Sequence, residues 1–160
     1  MPGKANDARF MRLAIGKARD GVRRGQTPFG ACIVRAGRVV ALSHNRVWKN
    51  TDITAHAEIC AIREACRRLK TVELSGCIIY STCEPCPMCF SACHWANISK
   101  IVYGARIADA KKLGFDELTV SNAAMKRMGG AGIRVQKDFL RNDCLELFAF
   151  WKKKGRRRVY

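Results

Sequence analysis

The 160-residue chain has no apolar run near the roughly 20 residues a membrane-spanning helix needs, which argues against a helical membrane protein. Its opening residues, Met1-Pro2-Gly3-Lys4-Ala5-Asn6-Asp7, lack the apolar stretch of a signal peptide, so secretion is not expected. There is no internal repeat and no linker long enough to divide domains. The length suits one domain over 1–160, large enough to bury a core without staples. Acidic residues are scarce: 13 Asp and Glu stand against 30 Lys and Arg, a formal net charge of +17. Such an excess is the footprint of a nucleic-acid binder or simply a solvated basic surface, so tRNA stays open as a partner. Lys152-Lys153-Lys154 and Arg156-Arg157-Arg158 put part of it in a basic tail at about 152–160, by default a solvated one.

Cysteine is plentiful. The nine are Cys32, Cys60, Cys66, Cys77, Cys83, Cys86, Cys89, Cys93 and Cys144. An odd count without a secretion signal suggests free thiols in a reducing cytoplasm, several serving as small core hydrophobes.

Two short stretches organise the chain, Ala55-His56-Ala57-Glu58 and Glu84-Pro85-Cys86-Pro87-Met88-Cys89. His56 offers an imidazole nitrogen, and Cys86 and Cys89 offer thiolates. Three protein ligands leave the fourth tetrahedral position of Zn²⁺ open to water, the pattern of a catalytic rather than a structural site. Glu58, two residues past His56, is the candidate acid and base for that water. H-x-E followed by P-C-x-x-C is the signature of zinc nucleobase deaminases. A lone C-x-x-C, shared by redox pairs and zinc knuckles, carries far less. Cys83 and Cys93 flank the motif, and either would close the site into a structural one. His44 and His94 read as ordinary edge or surface histidines.

Periodicity places these residues. Asp7 to Arg23 predicts an amphipathic helix with Phe10, Ala14, Ala18 and Val22 on one stripe. Phe29–Val34 and Arg38–His44 predict a hairpin turning at Ala36-Gly37. The polar stretch from Asn45 to Asp52 should lie at the mouth of the site. Thr54 is the expected cap of a helix from Ala55 to about Arg68. Cys77–Ser81 predicts a buried strand, and a proline-started helix runs to about Ala96. Lys100–Gly104 is the next strand, followed by a loop and short helix through Asp109 to Met128. A strand at Ile133–Gln136 and a helix from Asp143 to Lys154 complete the chain. The order predicts an α/β fold, a three-layer α/β/α sandwich around a mixed five-stranded sheet.

The run Asp52 to Ile59 and the run Ser81-Thr82-Cys83-Glu84-Pro85-Cys86-Pro87-Met88-Cys89 resemble the two zinc motifs of the cytidine deaminase-like zinc hydrolases. The second run is close to bacterial guanine deaminases, and His94-Trp95-Ala96 and Leu113-Gly114-Phe115-Asp116-Glu117 extend that likeness. It covers about Pro28 to Asp116 and weakens at both ends. The resemblance implies the same fold and a homodimer. It also implies a base-edge contact from Asn45, apolar or stacking surface from Phe29 and Trp95, and guanine recognition by Asp116. It further implies that the C-terminal aromatic, here Tyr160, closes the active site of a partner subunit, as the tail does in bacterial guanine deaminases. By the residues alone, Asn45 equally caps a turn, Trp95 equally belongs to the core and Asp116 equally starts a helix.

A carboxylate accepts from a ring N–H and an adjacent exocyclic amine together, as guanine presents them and adenine does not. The leading expectation is therefore hydrolytic deamination of guanine to xanthine and ammonia. The alternatives are a tRNA-specific adenosine deaminase, which the basic charge and the stretch Ile133 to Arg158 favour, or a deaminase of cytosine or another aminated heterocycle. A zinc-stabilised RNA-binding domain is the reading from another class, and it has no use for Glu58.

Overall fold

A computed structural model describes residues 4–155 and 157–160; Met1–Gly3 and Arg156 of the expectations above lie outside the described residues. The sheet explains why the sequence is apolar in blocks rather than in alternation. β1 (Gly30–Arg35), β2 (Arg38–His44), β3 (Cys77–Cys83), β4 (Lys100–Ala105) and β5 (Arg134–Gln136) form one sheet in the order β2-β1-β3-β4-β5. β1 runs antiparallel to both neighbours, and β3, β4 and β5 are parallel. Helices cover both faces, so successive side chains of the central strands are buried in opposite directions. Ile33, Ile79, Ile101 and Tyr103 face one core; Cys32, Val34, Tyr80 and Val102 face the other.

The first core lies under α3 (Ala57–Leu69), α4 (Pro87–Trp95) and α6 (Asn122–Gly129). The second lies under α1 (Lys4–Arg23) and α7 (Arg141–Lys152). Two short helices, α2 (Val47–Asn50) and α5 (Ile107–Lys112), sit in the connections. This is the expected three-layer sandwich on a mixed five-stranded sheet. No helix among the described residues is long and apolar enough to cross a membrane. Gly30 marks where α1 touches the sheet most closely: a Cβ there would run into the carbonyl oxygen of Ala14.

Several boundaries differ from expectation. Thr54 does not cap α3. Its N–H and hydroxyl both bond Asp52 Oδ1, at 2.9 and 2.6 Å, in a turn ahead of the helix, and the cap position falls to His56. The segment through Asp109 to Met128 holds two helices, because Gly114 at φ 103° and the irregular run over 115–121 interrupt the turn repeat. The final helix begins at Arg141, whose guanidinium bonds Asp109 in a forked pair at 2.6 and 3.0 Å. His44 lies at the end of the edge strand β2, as expected, but is buried there, its Nδ1 2.6 Å from the Asn45 carbonyl, while His94 is on the surface.

Candidate active site

Two helix starts meet at the end of β3. His56 is the N-cap of α3 and Cys86 the N-cap of α4, both with extended backbone and neither side chain spent on a capping bond. Pro87 occupies the first turn of α4, where a missing N–H costs nothing. Cys89 follows Cys86 by three residues and so lies on the same helical face. The result is that His56 Nδ1 stands 3.6 Å from Cys86 Sγ and 3.5 Å from Cys89 Sγ. These three donor atoms all lie within 4.8 Å of one another. A tetrahedral Zn²⁺ with Zn–S of about 2.3 Å and Zn–N of about 2.0–2.1 Å requires an N···S edge of about 3.6 Å, so the donor set fits that ion. Among the described residues Cys83 and Cys93 do not join it. Cys83 points at the Arg106 carbonyl, and Cys93 is fully buried in the first core.

The three donors shift one another's protonation. The Cys86 thiol is held down to about 4, first by its hydrogen bond with Cys89 and then, against burial, by His56. The Cys89 thiol is pushed up as the other member of that contact and by burial. Burial lowers His56, but the neighbouring Cys86 and Glu58 charges outweigh it and raise it overall.

Glu58, on the first turn of α3, is buried beside the donors, its Oε2 3.5 Å from Cys89 Sγ. The Ser81 hydroxyl donates to Oε1 at 2.7 Å and holds the carboxylate in place. Burial raises its pKa, which suits a group that must carry a proton for part of a cycle.

The chamber around Glu58 has a volume of only about 20 Å³, the size of a single water. Phe29, Asn45, His56, Glu84 and Glu117 help to line it, and Tyr160 of the same chain forms its outer wall. Beyond that ring a second cavity of about 320 Å³ opens, lined by Ile53, Met88, Phe115, Asp116 and Leu118 among others. Tyr160 packs 5.5 Å from the His56 ring and 5.3 Å from Phe115, centroid to centroid. Asn45 Nδ2 donates to its phenol oxygen at 2.6 Å, and Asp116 N–H donates to its carbonyl at 3.0 Å. Tyr160 is therefore docked against its own chain, while Lys152, Lys153, Lys154, Arg157 and Arg158 are exposed, as expected of a solvated basic tail. Arg158 stacks over Trp48 at 4.3 Å.

The candidate residues separate accordingly. Phe29, Asn45 and Tyr160 come together at the chamber. Asp116 is displaced to the outer cavity, in a loop rather than at a helix start. Trp95 lines neither cavity and belongs to neither core: it is 83% exposed at the end of α4. Glu117 was missed. It faces both cavities, and burial raises it to about 7. Its position directly after Asp116 was the available signal, but which of two adjacent acids turns inward depends on the loop. Glu84 was missed as well. Buried behind the metal loop, it accepts from Tyr103 Oη at 3.2 Å, Ile107 N at 3.2 Å and Asn122 N at 2.9 Å. It thereby ties down both ends of the segment that carries Glu117.

Comparison with known proteins agrees with this geometry. Guanine deaminase of Bacillus subtilis is 44% identical over 113 residues, covering 70% of this chain and 72% of the relative. A tRNA-specific adenosine deaminase of Agrobacterium fabrum is 45% identical over 102 residues, 64% of this chain and 67% of the relative. The structure of guanine deaminase from Nitrosomonas europaea superposes with a TM-score of 0.82 at 29% identity, over 91% of this chain and 84% of that one. Residues 4–105, which carry His56, Glu58, Cys86 and Cys89, match the cytidine and deoxycytidylate deaminase zinc-binding region, and the chain belongs to that family of deaminases.

Proposed function

We propose that this deaminase acts on guanine, with water, to give xanthine and ammonia. The observation that carries the reading is a pair of carboxylates, Glu58 and Glu117, facing one small chamber beside the His56, Cys86 and Cys89 donors. Those three residues would hold Zn²⁺, which when bound lowers the pKa of water from 15.7 toward about 7. Glu58 takes one proton of the attacking water and passes it to the ring nitrogen; it then carries the proton of the added hydroxyl to the amine, which leaves as ammonia as the carbon–nitrogen bond breaks and the carbonyl forms. Ser81 keeps one of its oxygens engaged, so the other is the mobile one. Glu117 replaces Asp116 as the group that reads the base. With its pKa near 7 it accepts from a ring N–H and the adjacent exocyclic amine of guanine, a pair that adenine lacks. Asn45 and Phe29 bound the base plane. Tyr160 moves aside for entry and covers the base, and a purine cannot share the inner chamber with it. A wall of this kind suits a free base better than a polynucleotide.

A second reading, deamination of adenosine in tRNA, has its own support in the +17 charge and in the Agrobacterium relative. A homodimer belongs to the same proposal: exposed Ile53, Trp95, Leu118 and Met128 offer apolar surface for a second copy, which solution mass measurement would reveal. The deciding experiment offers guanine, adenine, cytosine, guanosine and an anticodon-loop RNA in parallel to zinc-loaded protein and follows ammonia. Turnover of guanine alone is expected; turnover of the RNA alone would replace the proposal with the second reading.

A further inference from the structure

We infer that the cleft between α1 and α3, over the edge strand β2, is a second binding site that takes the polyphosphate arm of a nucleotide. The cleft has a volume of about 640 Å³, within the range of small-molecule sites. Lys17 comes from α1, Leu42 from β2, Arg46 from the connection, and Glu64, Arg67 and Arg68 from α3. It continues into a cleft of about 500 Å³ that shares Arg46 and Arg67 and adds Ile62 and Cys66. Neither cleft shares a lining residue with the two cavities at Glu58.

Cations at a sheet edge often serve only to block pairing with another chain. That accounts for Arg68, whose Nη1 donates to the free Val40 carbonyl of β2 at 2.9 Å and whose Nη2 pairs with Glu64 at 2.6 Å. It does not account for Lys17, Arg46 and Arg67, none of which has a carboxylate partner among the described residues. The field they make registers on a neighbour: buried His44 is lowered first by burial and further by Arg46, Lys17 and Arg24. Three uncompensated cations on separate elements around one concavity suit closely spaced phosphates, with the arginine forks able to bind pairs of oxygens.

The rest of the lining selects among phosphate ligands. Glu64, half-buried in the cleft and held by the Ser43 hydroxyl at 3.1 Å, opposes a bare phosphodiester track but accepts from ribose hydroxyls. Ile62 and Cys66 in the adjoining cleft provide an apolar floor for a base. Cations, one carboxylate and an apolar shelf in sequence match a nucleoside polyphosphate better than an RNA backbone.

The test is calorimetric titration of zinc-loaded protein with ATP, inorganic tripolyphosphate and a single-stranded oligouridylate, on the wild type and on the double variant K17E/R67E. Saturable binding of ATP and tripolyphosphate is expected, weakened at least about tenfold in the variant. Melting temperature and zinc content should stay unchanged, since both side chains lie outside the cores. Arg67→Ala alone repeats the comparison should the double variant fail to fold. No saturable binding of ATP or tripolyphosphate, binding equal in wild type and variants, or binding of the oligouridylate alone each overturns the proposal.

Discussion

The side-chain amide of Asn45 donates to the phenol oxygen of Tyr160 at 2.6 Å, joining positions 115 residues apart. A residue expected to hold the edge of a base thus holds the last residue of the chain, and the same contact closes the chamber over Glu58 and His56. Tyr160→Ala removes aromatic contacts to Trp48, His56 and Phe115. Aromatic pairs contribute about 0.5–1.5 kcal/mol each, so the three together amount to a loss of about 1.5–4.5 kcal/mol, a fall of roughly 3–18 °C in melting temperature. The variant should also release zinc to a chelator several-fold faster. An unchanged release rate would show that the ring does not shield the site.

Glu58→Gln keeps the size of the side chain and its Ser81 contact but cannot carry a proton. A fall of about 10²–10⁴ in kcat is expected, with zinc stoichiometry by elemental analysis unchanged. Loss of zinc together with activity would make Glu58 a structural support of the site.

Glu117 titrates in the opposite sense from a salt-bridged acid. Burial raises it from its ordinary 4.5 to about 7, so between those values the folded chain binds more protons than the unfolded one. Stability of the metal-free protein should therefore fall as pH rises from about 4.5 to 7. Glu117→Gln should flatten that slope, as seen in denaturant midpoints across the window. A slope unaffected by the substitution would place the responsible group elsewhere.

Removal of zinc with a chelator is expected to leave the far-ultraviolet circular dichroism intact and lower the melting temperature. The two cores are built from strands and helices, and only two helix starts converge on the donors. Global unfolding on chelation would mean that the metal is folding energy, as in a structural zinc domain.

Glu84→Ala leaves the Tyr103 hydroxyl and two backbone N–H groups without an acceptor in a buried place. A cost of roughly 3 kcal/mol or more is expected, or about 6–12 °C in melting temperature. A change of less than about 1 kcal/mol in chemical denaturation would show that water replaces the carboxylate.

Most of the sandwich was legible in the chain because its signals are local. Alternation is lost where strands are covered on both faces, as at Ile78-Ile79-Tyr80, and a 3.6-residue stripe marks α1. The pairing of Cys86 with Cys89 was legible for the same reason: three-residue spacing fixes them on one helical face whatever surrounds them. Thr54 misled because a hydroxyl two residues before a helix caps it only if the intervening turn allows, and Asp52 had already engaged it.

By itself, then, the sequence pointed to the layered fold through short-range periodicity, and to His56, Cys86 and Cys89 as a donor group with Glu58 beside it through the joint His-x-Glu and Pro-Cys-x-x-Cys motif. Only the tertiary structure decided that Glu117 rather than Asp116 faces the chamber, that Trp95 faces solvent and that Tyr160 seats against Asn45 and the His56 ring. Each of those depends on how a loop or tail is anchored by contacts far away in the chain, through Glu84 and Asn45, and no local pattern encodes that anchoring.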